Sequence, residues 1–519
     1  MSVTALRSPR RFAVAALTAA LAAGAALAGC GSSSGSGGAD PAALIPAGAP
    51  IYAEAVVRPD DAERGEAEAA LRKVLRTGDP AGELVALFDR AGRDGDVRFA
   101  RDIEPWLGDR AGVALLAPGE RKDGVLVAAS RDDDKARDAV ARITRDGAER
   151  TYRDVTYRFD SRDGTAGAVL GESVVLGTEN GLKAAVDASK GSALAEADGL
   201  KKARAAVTAE RVGFLFLDVG RLLRQAVSAG GDGAAQAAPF LDPVAGALPS
   251  TVGVALDPEA DLVRMDAAVF GPVPEGAANG ADALAMLPAD AWLGVGIGDL
   301  GGTVDGFLDR IASGGGIAGV GLEALLSQIQ QGVGLDIRRD LLAWMGDAAV
   351  FATGTSGAGA GGGLVVTSKD AAATRRAVQR LAVLARGSSG RDVAPLRAAG
   401  VDEGFIVRDG GRGSDLFVAA DGDRFVVAAG RAALRDALSP SGSLTESAAF
   451  RDAAGKLGGD VRPSFFLDVQ RLTELMTSKP GAGDDADRAR EHLEAFGVVA
   501  GGAKRDGDVT RGRAVATLR

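Results

Sequence analysis

The chain repeats itself. Five blocks of its first half recur in the same order in its second half, offset by about 240–250 residues throughout. LIPAGAPIYAEAVVR (Leu44 to Arg58) matches MLPADAWLGVGIGDL (Met286 to Leu300), and DIEPWLGDRAGVALL (Asp102 to Leu116) matches DLLAWMGDAAVFA (Asp340 to Ala352). GVLVAASRDDDKARDAVARI (Gly124 to Ile143) matches GLVVTSKDAAATRRAVQRL (Gly363 to Leu381). SVVLGTENGLKAAVDASKGSALAE (Ser173 to Glu196) matches FVVAAGRAALRDALSPSGSLTE (Phe425 to Glu446), and FLFLDVGRLL (Phe214 to Leu223) matches SFFLDVQRLT (Ser464 to Thr473). Ordered matches of this kind are the signature of a tandem duplication. Each half closes on an apolar pair of strand-like runs, Thr251 to Phe270 and Phe496 to Leu518. The Gly/Pro/Ala-rich stretch Gly271 to Asp282 between them reads as a linker. The expectation is two domains of like fold, 44–271 and 286–519, joined by a linker over 272–285.

Periodicity sets the fold class. Ile51–Val57, Ala111–Leu116, Val125–Ala129 and Val169–Leu176 are short apolar runs, rich in β-branched residues and bounded by Gly, Pro or Asp, and read as strands. Ala136, Ala139, Val140 and Ile143 fall on one helical face, as do Val304, Phe307, Leu308 and Ile311, and again Leu322, Leu325, Leu326 and Ile329. Several strand runs adjoin without an intervening helix. That predicts an α+β fold, each domain a mainly antiparallel sheet with helices packed on one face. GAGAGGG (Gly357 to Gly363) is low-complexity sequence between two strands and reads as a hairpin loop.

The N-terminus gives an address. Arg7, Arg10 and Arg11 precede an apolar run, Phe12 to Ala28, that ends in Leu27-Ala28-Gly29-Cys30. A basic flank, a short apolar core and small residues before a cut form a signal peptide, here residues 1–29. The single Cys of the chain at that place resembles the lipobox of bacterial lipoproteins, a resemblance that implies diacylation of Cys30 at sulfur. An ordinary secretory signal with an incidental Cys, and an uncleaved span of about 17 residues, are the plainer readings; the second is at the short limit for a bilayer. Arg10-Arg11-Phe12 carries only part of a twin-arginine export signal. Residues 30–43 hold the lipidated Cys and a Gly/Ser tether of the flexible-coil type. No later segment is apolar enough to span a membrane. The expected location is the outer face of the cytoplasmic membrane, with the lipid anchor as the membrane contact.

Composition removes several function classes. One Cys excludes disulfide frameworks and Cys-based metal centres, and one His excludes two-His metal motifs. Losing Arg7, Arg10 and Arg11 with the signal takes the formal charge from −10 to −13. Without a basic footprint, and with 4% aromatic residues for stacking, no nucleic-acid partner is expected.

Ile45-Pro46, Ala53-Glu54-Ala55, DIEPWLGD (Asp102 to Asp109), Ser443-Leu444 before Phe450 and the Leu-Asp-Val strand ends carry a family resemblance. The mature chain resembles bacterial envelope lipoproteins grouped as the domain of unknown function thirty-three fifty-two. The resemblance implies location and architecture and adds no chemistry.

The candidate sites weigh toward structure. Trp106 and Asp109 recur as Trp344 and Asp347, read either as a paired surface site or as a core plug followed by a turn carboxylate. Asp218 and Asp468, in the repeated Leu-Asp-Val, read as helix N-caps. Gly296 to Gly301 fits the dinucleotide pattern, but the matching stretch Ala55 to Asp60 has no glycine, and Asp299 would oppose a phosphate. Gly314 to Gly319 is a weaker match. His492, between Glu491 and Glu494, reads as a solvated helix residue; Asp132–Asp134 and Asp484-Asp485 lack calcium-loop spacing. No catalytic residue, metal or cofactor is expected. The first functional expectation is a non-catalytic binding or scaffolding lipoprotein with an envelope protein as partner. The alternative is a carrier of a lipid or other apolar ligand, held between a sheet and the helix pair Gly302 to Gly334. A carboxylate-only hydrolase is the remaining enzymatic route.

Overall fold

In a computed structural model, the structure describes residues 38–91, 97–117, 123–208, 211–229, 248–273, 280–313, 326–327, 330–331, 334–355, 360–388, 392–408, 414–477, 490 and 493–519. The signal peptide, Cys30, Asp484-Asp485, His492, Gly314 to Gly319 and, from the second helix of the expected Gly302 to Gly334 pair, Leu322, Leu325 and Ile329 lie outside the described residues. Two compact units divide the chain, the first running chiefly to Phe270 and the second chiefly from Gly271 to Thr517.

The first unit contains β1 (Ile51–Val56), α1 (Asp61–Leu75), α2 (Pro80–Ala91), β2 (Leu107–Ala117), β3 (Asp123–Ser130), α3 (Asp133–Ile143), β4 (Ala148–Tyr152), β5 (Val155–Asp160), β6 (Thr165–Leu170) and β7 (Ser173–Thr178). It continues through α4 (Glu179–Ser189), α5 (Asp198–Ala206), β8 (Gly213–Asp218), α6 (Val219–Ala229), β9 (Thr251–Glu259) and β10 (Leu262–Phe270). Its strands lie in the order β4-β5-β6-β7-β3-β2-β1-β8-β9-β10, each antiparallel to its neighbour.

The second unit contains β11 (Leu293–Ile297), α7 (Leu300–Ser313), β12 (Met345–Thr353), β13 (Gly361–Ser368), α8 (Ala371–Ser388), β14 (Asp392–Pro395), β15 (Glu403–Arg408), β16 (Leu416–Asp421) and β17 (Arg424–Ala429). It closes with α9 (Arg431–Leu438), α10 (Ala448–Leu457), β18 (Phe465–Asp468), α11 (Val469–Thr477), β19 (Phe496–Asp506) and β20 (Val509–Leu518). Its strand order is β14-β15-β16-β17-β13-β12-β11-β18-β19-β20, the first order with every number raised by ten. The chain is thus an α+β protein built on antiparallel sheet.

Helices cover both faces of each sheet, where one face was expected. Successive strand residues point to opposite sides. In β7, Val174 and Leu176 share a core with Ala136, Ala139, Val140 and Ile143 of α3. Val175 between them shares a core with Leu182, Ala185 and Val186 of α4. The second unit repeats the arrangement. Val366 and Phe425 pack with Ala377, Val378 and Ala382 of α8, while Val365 and Val426 are buried on the other side, where α9 lies against β13 and β17. The physical reason is legible in β3, whose Val125 to Ala129 is apolar at consecutive positions; such a strand needs cover on both sides.

The expected Gly357–Gly363 loop is corrected at its C-terminal end. Gly361 to Gly363 are strand residues in β13, all three paired with β12 and Gly362 and Gly363 also with β17, while Gly357 to Gly359 lie outside the described residues. A Cβ at Gly363 would stand 2.5 Å from the Val427 carbonyl oxygen, and one at Gly362 2.6 Å from that of Phe351. Here glycine serves close backbone approach rather than a turn.

Candidate functional site

Trp106 and Trp344 end equivalent turns. Before each runs a single π-helical turn, Phe99–Ile103 and Ile337–Leu341. Both indoles are buried, 2% and 1% exposed, so neither forms a surface wall, and the surface reading of the repeated Trp fails. Trp106 Nε1 donates to the Asp102 carbonyl at 2.7 Å, and Trp344 Nε1 to the Asp340 carbonyl at 2.9 Å. Each ring thereby fills core space and satisfies its own polar atom. Trp344 also meets Phe425 edge-on, with centroids 5.4 Å apart.

The principal charged groups at these turns are Asp102 and Asp340, which the sequence reading passed over. Asp102 is 1% exposed. Its carboxylate accepts from Arg101 Nε and Nη2, each at 2.9 Å, and from the Arg98 backbone N–H at 2.8 Å, and pairs with Arg142 Nη1 at 3.1 Å. Asp340 repeats the set: Arg339 Nε at 3.1 Å, the Asp336 N–H at 3.1 Å, and Arg380. Burial pushes the Asp102 carboxyl up. The Arg101 hydrogen bond, the Arg98 N–H and the charges of Arg101 and Arg142 outweigh that and hold it below the usual carboxylate range. The Arg339 hydrogen bond is the leading cause of the same downward shift at Asp340. The signal was present in the matched blocks. Both begin with Asp preceded by Arg, and Arg142 and Arg380 end the next matched pair one residue before Ile143 and Leu381.

The remaining candidates fall into place as local structure. Asp347 is partly exposed and accepts the Asp299 N–H at 2.8 Å. Asp109 is partly exposed, and its carbonyl accepts the Val57 N–H at 2.7 Å. Asp218 accepts the Arg221 N–H at 2.8 Å, and Asp468 accepts those of Gln470 and Arg471, as N-caps do. Asp132 caps α3 through the Lys135 N–H. In the dinucleotide-like stretch, Asp299 has a left-handed φ of 39° and pairs with Lys369 Nζ at 2.6 Å. A Cβ at Gly296 would sit 1.9 Å from the Gly280 carbonyl oxygen, so this glycine answers a backbone contact rather than a pyrophosphate. Among the described residues, no group of three or more His, Cys, Asp or Glu could hold a metal ion, and no helix is long and apolar enough to cross a membrane.

Two features do differ from ordinary scaffolding. One is an ionic cluster in the first unit. Tyr52, fully buried, donates to Glu54 at 2.9 Å; Arg204 binds Glu54 and, at 2.8 and 3.1 Å, both oxygens of Asp40. Burial first, then the Glu54 charge, raises the Tyr52 hydroxyl well above its ordinary value. In the second unit Gly294 and Gly296 stand where the matched block places Tyr52 and Glu54.

The other is an apolar row that both units share. Strand register brings Leu115, Ile51, Leu217, Val252 and Val269 side by side across β2, β1, β8, β9 and β10. All five are only half-buried, although Phe214, Phe216 and Ala255 on the opposite face of the same strands are buried. Ala352, Leu293, Leu467 and Val499 form the matching half-buried row in the second unit, beside the 38%-exposed Val350. Five strands at about 4.8 Å spacing make a row about 19 Å long without a hydrogen-bonding side chain. In the second unit, α7 turns Ile311 toward Phe307, Leu308, Ala312 and Leu326, a cluster separate from the main core.

Fold and site together define a class: two antiparallel α+β units with one strand order, each pinned by a Trp turn and an Arg–Asp–Arg clasp. The chain belongs to the family "Protein of unknown function (DUF3352)", whose model matches residues 12–512. No curated protein matches it. Among solved structures it is similar to TP0453 in crystal forms I, III and IV, at 10%, 12% and 12% identity. The matches cover 45%, 45% and 44% of this chain and 79%, 80% and 80% of TP0453, with TM-scores of 0.25, 0.25 and 0.26. A likeness of that score carries no weight for this chain.

Proposed function

We propose that this protein is a lipid-anchored, non-catalytic lipoprotein of the cell envelope, held at the outer face of the cytoplasmic membrane through Cys30, and that it binds an apolar ligand. The half-buried aliphatic row, present in both units in equivalent register, carries the ligand reading. Apolar surface left partly in water on an otherwise well-buried sheet favours occupancy by something apolar. A non-catalytic role is supported by the carboxylates that recur: Asp102, Asp340, Asp218, Asp468 and Asp347 are engaged by arginines or backbone N–H groups. The anchor is supported by the basic flank, the apolar run and the lone Cys30 after Leu27-Ala28-Gly29.

Two measurements test this. Cys30→Ala is expected to move the protein from the membrane to the soluble envelope or culture fraction; a variant that still sediments after a salt wash refutes the anchor. That soluble variant, extracted with organic solvent, is expected to release a co-purified lipid and to bind a fluorescent fatty-acid probe. Leu217→Asp and Val350→Asp are expected to weaken that binding. An empty extract, with probe binding unchanged in both variants, refutes the apolar-ligand reading and returns the protein-partner reading to the front.

A further inference from the structure

We infer that the apolar row of the first unit takes a linear alkyl chain whose head group, a hydroxyl or an N–H, donates a hydrogen bond to Gln225 Oε1. The inference rests on the apolar-ligand reading above and names the chemistry of that ligand.

The row is shaped for a chain. Leu115, Ile51, Leu217, Val252 and Val269 are aliphatic and half-buried, and span about 19 Å from end to end. A bilayer's hydrocarbon core is about 30 Å thick and two chains deep, so one lipid chain spans about 15 Å. One such chain fits along the row and leaves a few ångströms at one end for a head group. None of the five side chains is aromatic, so nothing in the row stacks on a flat ring.

Helix α6 runs beside the row. It starts at Val219, two residues after Leu217, and packs on β8 and β9. Gln225 lies six residues further on, about 9 Å along the helix axis. Two strand spacings, from β8 across β1 to β2, come to about 10 Å. The match is borne out by contact: Gln225 Nε2 donates to the Leu116 carbonyl at 3.2 Å. Leu116 has no partner in β3, because β2 bulges between Leu115 and Ala117. Gln225 therefore stands at the β2 end of the row, next to Leu115.

One group of Gln225 is left over. Its Oε1 is shut off from water and finds no hydrogen-bond partner among the described residues. Turning the amide over would set that oxygen against the Leu116 carbonyl, so the free end is an acceptor. A buried acceptor without a donor is a cost to the empty protein. A buried water makes about three hydrogen bonds, and the side chains of the row offer none, so a donor carried in by the ligand suits the place better. An ionised carboxylate brings acceptors only, whereas an alcohol, a glyceryl hydroxyl or an amide N–H brings the donor. Of the arginines on this helix, Arg221 is paired with Asp218 at 3.2 Å and Arg224 is exposed, so neither is buried with Oε1 to call for an anion. In the second unit the matched blocks put Leu475 where Gln225 stands, so that row lacks this acceptor.

The test uses the full chain made soluble by Cys30→Ala, with Val350→Asp added to disable the second row. Hexadecanol and hexadecyl methyl ether share a chain and differ in the donor; each competes for the fluorescent fatty-acid probe. Hexadecanol is expected to displace the probe at about three- to tenfold lower concentration, the net worth of one neutral hydrogen bond. Gln225→Met is expected to abolish that advantage and to leave displacement by the ether unchanged, which also shows that the variant is folded. Equal displacement by alcohol and ether before that change, or an advantage that survives it, overturns the inference and leaves the apolar-ligand reading standing. A chain that binds neither the probe nor either compound overturns that reading and this inference with it.

Discussion

Removing the Asp102 carboxylate with Asp102→Ala tests the clasp that the two units share. The loss can be built from its contacts. The Arg98 N–H, part-buried, loses its acceptor, which costs about 1–2 kcal/mol. The Arg101 and Arg142 contacts are worth less than buried ion pairs, because these guanidiniums are 52% and 47% exposed and water replaces the carboxylate. Together the expected loss is about 2–3 kcal/mol. For a unit of this size that is about 5–10 °C in the melting of the first unit, read by calorimetry at pH 7. The pH dependence has a definite sign. The folded Asp102 pKa is depressed below its unfolded value near 3.9, so the unfolded state binds more protons between the two values. The contribution is complete above about pH 5 and is lost as pH falls through 4 toward the folded value. The gap between wild type and Asp102→Ala should therefore close below pH 4. Asp102→Asn, which keeps an acceptor for the Arg98 N–H, should fall between the two. A shift under about 1 °C at pH 7, or a gap that does not narrow in acid, refutes the clasp as a stabilising element.

Trp344→Ala empties a site buried against Phe425 and leaves the Asp340 carbonyl without its indole donor; it should cost the second unit about 3–5 kcal/mol by denaturant unfolding. Gly296→Ala places a methyl against the Gly280 backbone and should lower stability by about 1–3 kcal/mol; a neutral result would mean that the close approach is not needed. Asp347→Asn keeps the acceptor for the Asp299 N–H and should stay within about 0.5 kcal/mol of wild type, as checked by the same denaturant titration.

Much of this architecture is legible in the repeated blocks. Each block is an apolar run with its flanking turn, and the same runs became β1 with β11, β2 with β12 and β8 with β18. Trp106 and Trp344 were readable as core plugs because both halves kept the same ring before the same turn. The second helical face was missed for a topological reason. Adjacent hairpin strands suggested a meander open on one side, whereas α3 and α4 leave the sheet toward opposite faces. Asp102 and Asp340 were missed because their partners Arg142 and Arg380 lie about forty residues further on, and spacing along the chain does not show that α3 and α8 come back over the π-helical turns. Gly361 to Gly363 were misread because composition cannot distinguish a glycine that supplies a loose turn from one that lets three strands approach. The half-buried rows depend on register, and a one-residue slip would have turned them to the other face.

Equal strand order makes the contrast between β1 and β11 informative. Tyr52, Glu54 and Arg204 occupy one unit, while in the other a Cβ at Gly294 would meet Leu444 and Leu287, so leucines already fill the space. A buried ionic cluster and a well-packed apolar one of similar volume usually contribute comparable stability, with the apolar set often ahead. Stability therefore does not account for the charges of the first unit, whereas holding Asp40 does. Glu54→Leu combined with Arg204→Met separates the two roles. Both charges leave together, while Tyr52 loses its acceptor and Arg211 its 4.0 Å partner in the double variant as in Glu54→Leu, so the melting of the first unit should change by less than in Glu54→Leu alone. Hydrogen exchange at Ala42 and Ile45, whose N–H groups are held by Asp40 and the Ala42 carbonyl, should nevertheless quicken. A double variant that melts lower than both single variants would show the charges to be structural cement, and unchanged exchange at Ala42 would show that Asp40 is held by something other than Arg204.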